Sequence, residues 1–195
     1  MKHFNFKVIG TSPFLYHKFS VETFSNKRKP KSGSAGNDSE EWRETVWTEG
    51  KNLYIPGYYF FSAIFGGGSY VKSGRGTIAK KIAGCLIIES EKCFVNRMLP
   101  DEIQNLVTDE LPRDTSQPVY LDIRGVKNPT TKGRNIRYRL AMSKGWETQV
   151  EGYWDETVLS MENVKQAIES AGKFLGVGDA RLIGNGRFDI EFIKK

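Results

Sequence analysis

Both ends of this 195-residue chain carry apolar residues at every second position. In HFNFKVIG, Phe4, Phe6 and Val8 alternate with His3, Asn5 and Lys7; in RFDIEFIKK, Phe188, Ile190 and Phe192 alternate with Asp189 and Glu191. A period of two puts alternate side chains on opposite faces, so each segment predicts a strand with one buried face. A chain bounded in this way must build a sheet and hide one side of it.

The text between the ends supplies the remaining elements. WRETVWTEGKNLYIPG reads as two short strands around a turn at Glu49–Asn52. Pro56 and Gly57 open GYYFFSAIF as a helix, and Gly66, Gly67 and Gly68 close it; being apolar nearly all round, it is expected to be buried. A second short helix is expected from Thr77 to Ala83. CLIIES, KCFVN, PVYLDIRGV, NIRYRLAM and WETQVEGYW read as strands. In NIRYRLAM, Arg137 and Arg139 share one face, and Ile136, Tyr138 and Leu140 the other. Ser160 is an N-cap for a helix whose apolar stripe is Met161, Val164, Ala167, Ile168 and Ala171. GKFLGVGDARLIGNG is a glycine-punctuated loop before the last strand. The order predicts an α+β fold: an antiparallel sheet with helices on one face and inserted basic loops. We read residues 1–195 as a single domain with a flexible basic insertion at about 17–41, where NKRKPKSGSAGNDSEE has almost nothing to bury.

No apolar run reaches the ~18 residues of a membrane span, and the N-terminus lacks the apolar stretch of a signal peptide. A cytoplasmic protein with no membrane partner is expected. Cys85 and Cys93 sit in apolar text and read as reduced core thiols. With only His3 and His17 in the chain, no zinc site of Cys and His ligands is expected, and neither metal nor cofactor is assigned.

Lys and Arg number 29 against 23 Asp and Glu, and the excess is clustered. Residues 18–31 hold Lys18, Lys27, Arg28, Lys29 and Lys31 with one acid, Glu22. Residues 72–81 hold Lys72, Arg75, Lys80 and Lys81, and residues 124–139 hold Arg124, Lys127, Lys132, Arg134, Arg137 and Arg139, both without an acid. Clustered cations are the footprint of a polyanion site, and neighbouring Gly, Ser, Thr and Asn offer amides and hydroxyls to phosphate. The expected contacts are those side chains apart from Lys31, followed by Arg181 and Arg187 in the late loop, with Tyr16 and Tyr138 as stacking residues. The clusters are expected to converge into one track.

Enzyme motifs fail on spacing. GVGDARLIGNGR follows a helix and is not the dinucleotide fingerprint, and GGGSYVKSGRG lacks the Gly-Lys-Ser/Thr ending of a phosphate loop. His17, between Tyr16 and Lys18, is placed for general acid–base work, but with no identifiable partner it reads as a binding residue. No catalytic residue is expected; a metal-independent endoribonuclease using His17 stays an alternative.

Four features together resemble the RAMP superfamily, and within it the Cas7-like backbone subunits of CRISPR effector complexes and their phage and mobile-element relatives. They are the leading strand running into GTSPFLYHKF, the helix start in YIPGYYFFSAIF, the basic strand pair in IRGVKNPTTKGRNIRYRL, and the late loop GVGDARLIGNGRF before the closing strand. The resemblance implies an RRM-like (ferredoxin-like) core. It implies copies lined up side by side along a single strand, usually guide RNA, in company with other effector subunits. A single-stranded DNA-binding phage protein and an assembly component that binds no nucleic acid are the other readings.

Overall fold

A computed structural model describes residues 1–18, 40–101, 116–127 and 133–193. The alternation of the leading segment becomes strand β1 (Lys2–Gly10), with Phe4, Phe6 and Val8 buried. β1 lies between two antiparallel partners. On one side is β11 (Glu147–Trp154), with Lys2 opposite Trp154 and Ile9 opposite Glu147; on the other is β12 (Phe188–Phe192), with Phe6 opposite Phe192 and Gly10 opposite Phe188. Beyond β11 lie β7 (Leu86–Ile88) and β8 (Lys92–Met98), then β4 (Asn52–Pro56) and β3 (Thr48–Glu49), giving a seven-stranded sheet.

One face of this sheet is covered. The helix α2 (Gly57–Gly67) follows β4, and α4 (Met161–Ser170) follows β11; a short α1 (Glu41–Glu44) precedes β3. The hydroxyl of Ser160 accepts the N–H of Asn163 at 3.3 Å, so the expected cap forms. Val164, Ala167 and Ile168 are buried, and Ala171 continues the stripe into a wider turn, Ala171–Leu175. Met161, at the first helical position, is instead exposed. A side chain at Gly67 would meet the Ala167 carbonyl, so glycine lets α2 and α4 touch backbone to backbone.

α2 departs from the sequence expectation. Gly57, Phe60, Ala63, Ile64 and Gly67 are buried, but Tyr58 (57% exposed) and Phe65 face solvent, because only one side of the helix meets the sheet and α4. The next helix, α3 (Ala79–Cys85), starts later than Thr77, because Thr77 pairs with Lys72 in the small hairpin of β5 (Lys72–Ser73) and β6 (Gly76–Thr77). Among the described residues no helix is long and apolar enough to cross a membrane. Cys85 and Cys93 are free, buried thiols.

The basic strand pair forms a second sheet: β9 (Val119–Lys127), β10 (Arg134–Met142) and the short β2 (Phe14–Leu15). One side of this ribbon, with Leu121, Leu140 and Met142, joins the main core, and Ile123 and Tyr138 pack against it. The other side buries Tyr120 and Ala141 with Leu15, and Ala180 of the late loop packs there.

Candidate nucleic-acid interface

The late glycine-rich loop is an ordered structure sewn to the start of the chain. The Asp179 N–H donates to the Leu15 carbonyl at 3.0 Å, Gly186 N–H to Pro13 at 2.7 Å, and Val177 N–H to Gly186 at 2.9 Å. Gly176, Gly178, Gly184 and Gly186 take positive φ, and Ala180 is the only non-glycine residue to do so among those described, at +54°. That cost of order 1–3 kcal/mol is carried where the loop turns out to present Arg181, Leu182 and Ile183 to solvent.

This loop forms the centre of a surface trough made of three adjoining hollows. The first, of about 250 Å³, lies between Tyr58, Tyr59 and Ser62 of α2 and Gly178 and Arg181 of the loop. The second, of about 480 Å³, shares Gly178 and Arg181 and adds Arg187 and Phe174. The third, of about 290 Å³, shares Phe174 and adds Lys173, Tyr70 and Val71, and the chain then enters β5. The rings of Tyr70 and Phe174 lie 4.9 Å apart, and the Lys173 ammonium sits 5.4 Å from the Phe174 ring. The Tyr59 hydroxyl donates to the backbone carbonyl of His17 at 3.3 Å, which sets exposed His17 beside the first hollow. Tyr58 packs edge-on against Tyr59 at 4.9 Å; partial loss of water, then the neighbouring phenols, push its pKa up to about 12, so it keeps its proton at neutral pH. Cations alternate here with aromatic faces, the combination that holds an unpaired strand.

Parts of two predicted clusters adjoin this trough. The base of the ribbon reaches the loop through the ion pair of Arg139 Nε with Asp179 Oδ2 at 2.8 Å. The hairpin of Lys72 and Arg75 lies beyond Tyr70, with Lys80 and Lys81 on α3, all exposed; Lys81 donates to the Ser73 hydroxyl at 3.2 Å. Arg181 is exposed on the rim, and Arg187 is half-buried in the second hollow.

Other expectations are corrected. Tyr16 offers no face for stacking: it is wholly buried, its ring edge-on to Phe14 at 4.8 Å and its hydroxyl on the Met142 sulfur at 3.7 Å. Burial pushes its phenol well above the usual range. Tyr138 stands opposite Ile123 and packs against the main core, away from the side that carries Arg137 and Arg139. Arg124 and Arg139 are not free cations. Arg124 grips fully buried Asp122 at 2.5 and 2.6 Å, and Arg139 holds Asp179; the acids come from two positions before the acid-free stretch and from the late loop. Lys18 lies over the Trp47 ring, 4.9 Å from its centre. Lys127 and Arg134 are paired in register, with Lys127 exposed. Lys27, Arg28, Lys29 and Lys132 lie outside the described residues, as does most of the 17–41 insertion. Tyr58, Ser62, Lys173 and Phe174 were missed; the buried stripe of α2, read at helical spacing, leaves Tyr58 on the outside and is the signal for it.

The uncovered face of the main sheet has the opposite electrostatic character. Register places Glu147, Glu151, Asp189 and Glu191 there with Lys7, and Lys7 is paired with Glu147 at 3.0 Å.

No protein-family model matches the sequence, and no curated protein matches it. Solved structures do resemble it in fold. A chain of the Type III-B Cmr-beta bound to cognate target RNA aligns with a TM-score of 0.50 at 10% identity, over 99% of this chain and 61% of that one. The likeness is one of fold. This chain spans about three-fifths of the length of that neighbour. A chain of a Type IV-B CRISPR complex aligns at TM-score 0.47 and 12% identity, over 100% of this chain and 91% of that one. Cmr6 from Pyrococcus furiosus aligns at 0.43 and 15% identity, over 96% and 97%.

Proposed function

We propose that this chain binds single-stranded RNA, in the manner of a guide-RNA-binding backbone subunit of a CRISPR effector complex, without cleaving it. In this reading copies assemble side by side along the strand. The observation that carries it is the contrast between two surfaces. The trough sets Arg181, Arg187 and Lys173 among Tyr58, Phe174 and Tyr70, with Asp179, paired to Arg139, and Glu169 also on its walls, whereas the uncovered sheet face carries Glu147, Glu151, Asp189 and Glu191 against Lys7 and Lys92. A phosphate chain is attracted to the first and repelled by the second. The ferredoxin-like core belongs to the same reading. β1, α2, β7, β11, α4 and β12 follow a βαββαβ path, and the strand order β12-β1-β11-β7 supports it.

The test is fluorescence anisotropy with an unstructured 30-mer in RNA and DNA forms at graded salt. Arg181→Glu with Lys173→Glu is expected to weaken binding and to flatten the salt slope by about 0.7 per lost phosphate contact. Tyr58→Ala is expected to cost roughly 1–3 kcal/mol if one base stacks there. Unchanged affinity in these variants, or no binding by the wild type, overturns the proposal. Tighter binding of the DNA form reassigns the strand, and elution with the 30-mer on size exclusion reports assembly.

A further inference from the structure

The acidic face of the sheet contains one constellation that the trough does not use. β1 and β11 set His3 opposite Tyr153 and Asn5 opposite Glu151, so His3 and Glu151 are diagonal neighbours on the uncovered face. On the far side of β11, the Glu89 N–H donates to the Glu151 carbonyl at 2.9 Å, bringing Glu89 to the same place. A ring nitrogen of His3 and one carboxylate oxygen each from Glu89 and Glu151 all lie within 4.8 Å of one another, with His3 Nε2 3.8 Å from Glu151 Oε2.

Each of the three is held by a further side chain. The Asn5 amide donates to the other oxygen of Glu151 at 2.6 Å, leaving Oε2 turned to His3. The Tyr153 hydroxyl is hydrogen-bonded to Glu89, and the His3 ring stands edge-on to the Tyr153 ring at 5.0 Å. Metal ligands are oriented by such outer partners. The Asn5 amide oxygen is itself buried without a hydrogen-bond partner. The nearest lysines along β1 are engaged elsewhere, Lys7 with Glu147 and Lys2 with Glu156.

We infer that His3, Glu89 and Glu151 bind a first-row divalent transition-metal ion, Mn²⁺ or Zn²⁺. One imidazole nitrogen with two carboxylates suits these ions better than Mg²⁺ or Ca²⁺, which take oxygen ligands. At bond lengths of about 2.0–2.2 Å, ligand atoms stand roughly 3–4.3 Å apart. The His3–Glu151 spacing is already in that range, and a carboxylate oxygen of Glu89, exposed just past β7, lies within 4.8 Å of both. The ion would tie β1, β11 and the end of β7 together and offset the charge of this face. The inference is independent of the RNA reading.

The test uses tag-free, chelator-treated protein titrated with Mn²⁺, read by loss of the free-ion EPR signal, and with Zn²⁺ by calorimetry. One ion per chain is expected, with affinity falling at least tenfold in His3→Ala and in Glu89→Gln and unchanged in His17→Ala. Glu89 is exposed, so Glu89→Gln keeps the test valid if His3→Ala fails to fold. No binding by the wild type, or binding that both site variants leave intact, overturns the inference.

Discussion

Replacing Gly178 with alanine tests how the trough is built. Gly178 holds φ of +84°, a region that costs an L-residue roughly 1–2 kcal/mol. A β-carbon there would also stand 2.7 Å from the Phe14 ring and 2.8 Å from the Leu15 carbonyl oxygen. Neither neighbour can yield cheaply. Phe14 is wholly buried between Tyr16 and Trp146, and the Leu15 carbonyl accepts the Asp179 N–H. Overpacking of this kind costs about 1–3 kcal/mol, for a total of about 2–5 kcal/mol. At 2–4 °C per kcal/mol for a chain of this length, the melting temperature should fall by roughly 4–20 °C. Gly184→Ala is the internal reference: φ is +91°, but nothing lies within 4 Å of the added carbon. It should show the conformational cost alone, near the lower end. Thermal melts by circular dichroism compare the two directly. Equal melting temperatures would refute the close packing of the loop against β2.

Two further outcomes follow from buried groups. Asp122→Asn removes the carboxylate that grips Arg124 with two contacts, and loss of one partner of a buried pair costs about 3–5 kcal/mol; a change below about 1 kcal/mol in urea denaturation contradicts that role. Burial pushes the Cys93 thiol from its ordinary 9.0 up to about 12, against a weaker opposing pull from a hydrogen bond with the Ser90 side chain. The folded pKa is raised, so this contribution is intact below pH 9. It is lost as pH rises from about 9 to about 12, because the unfolded thiol ionises first, at up to about 1.4 kcal/mol per pH unit. Cys93→Ala should flatten the alkaline limb of the stability curve, and an unchanged limb would remove the thiol from the account.

The parts of the fold legible in sequence are those where one residue's environment is set by its own neighbours. The alternation of Phe4, Phe6 and Val8, the Ser160 cap and the stripe through Val164 and Ile168 each report a local period, and each forms as read. Charge pairing is local for Arg124, whose partner stands two residues before it, and distant for Arg139. The segment from Arg124 to Arg139 contains no acid, yet Asp122 is folded under Arg124 and Asp179 arrives from forty residues downstream to meet Arg139. Tyr16 looked like a ring beside a basic loop, but backbone pairing to Leu140 draws it into the core. The trough was only half legible: Arg181 and Arg187 stood out by charge, whereas Tyr58 and Phe174 depend on which side of α2 and which part of the late turn are left uncovered. A count of histidines likewise misses His3 with Glu89 and Glu151, because their nearness is a matter of register across β1 and β11.

The opposed surfaces share one origin in the alternation that opens and closes the chain. Because successive side chains on a strand point to opposite faces, the positions between Phe4, Phe6, Val8, Phe188 and Val150 all fall on the uncovered side. The sequence fills most of those positions on β11 and β12 with carboxylates. A one-residue slip of β11 against β1 would bury Glu147 and Glu151 and expose Val150, so the hydrophobic pattern that fixes the register also fixes the sign of that face. The trough's cations lie off the sheet, Arg181 and Arg187 in the late loop and Lys173 in the turn after α4, where the alternation rule does not apply. In the proposed reading, the residues that decide which side of the sheet is buried also decide which surface remains for a phosphate chain.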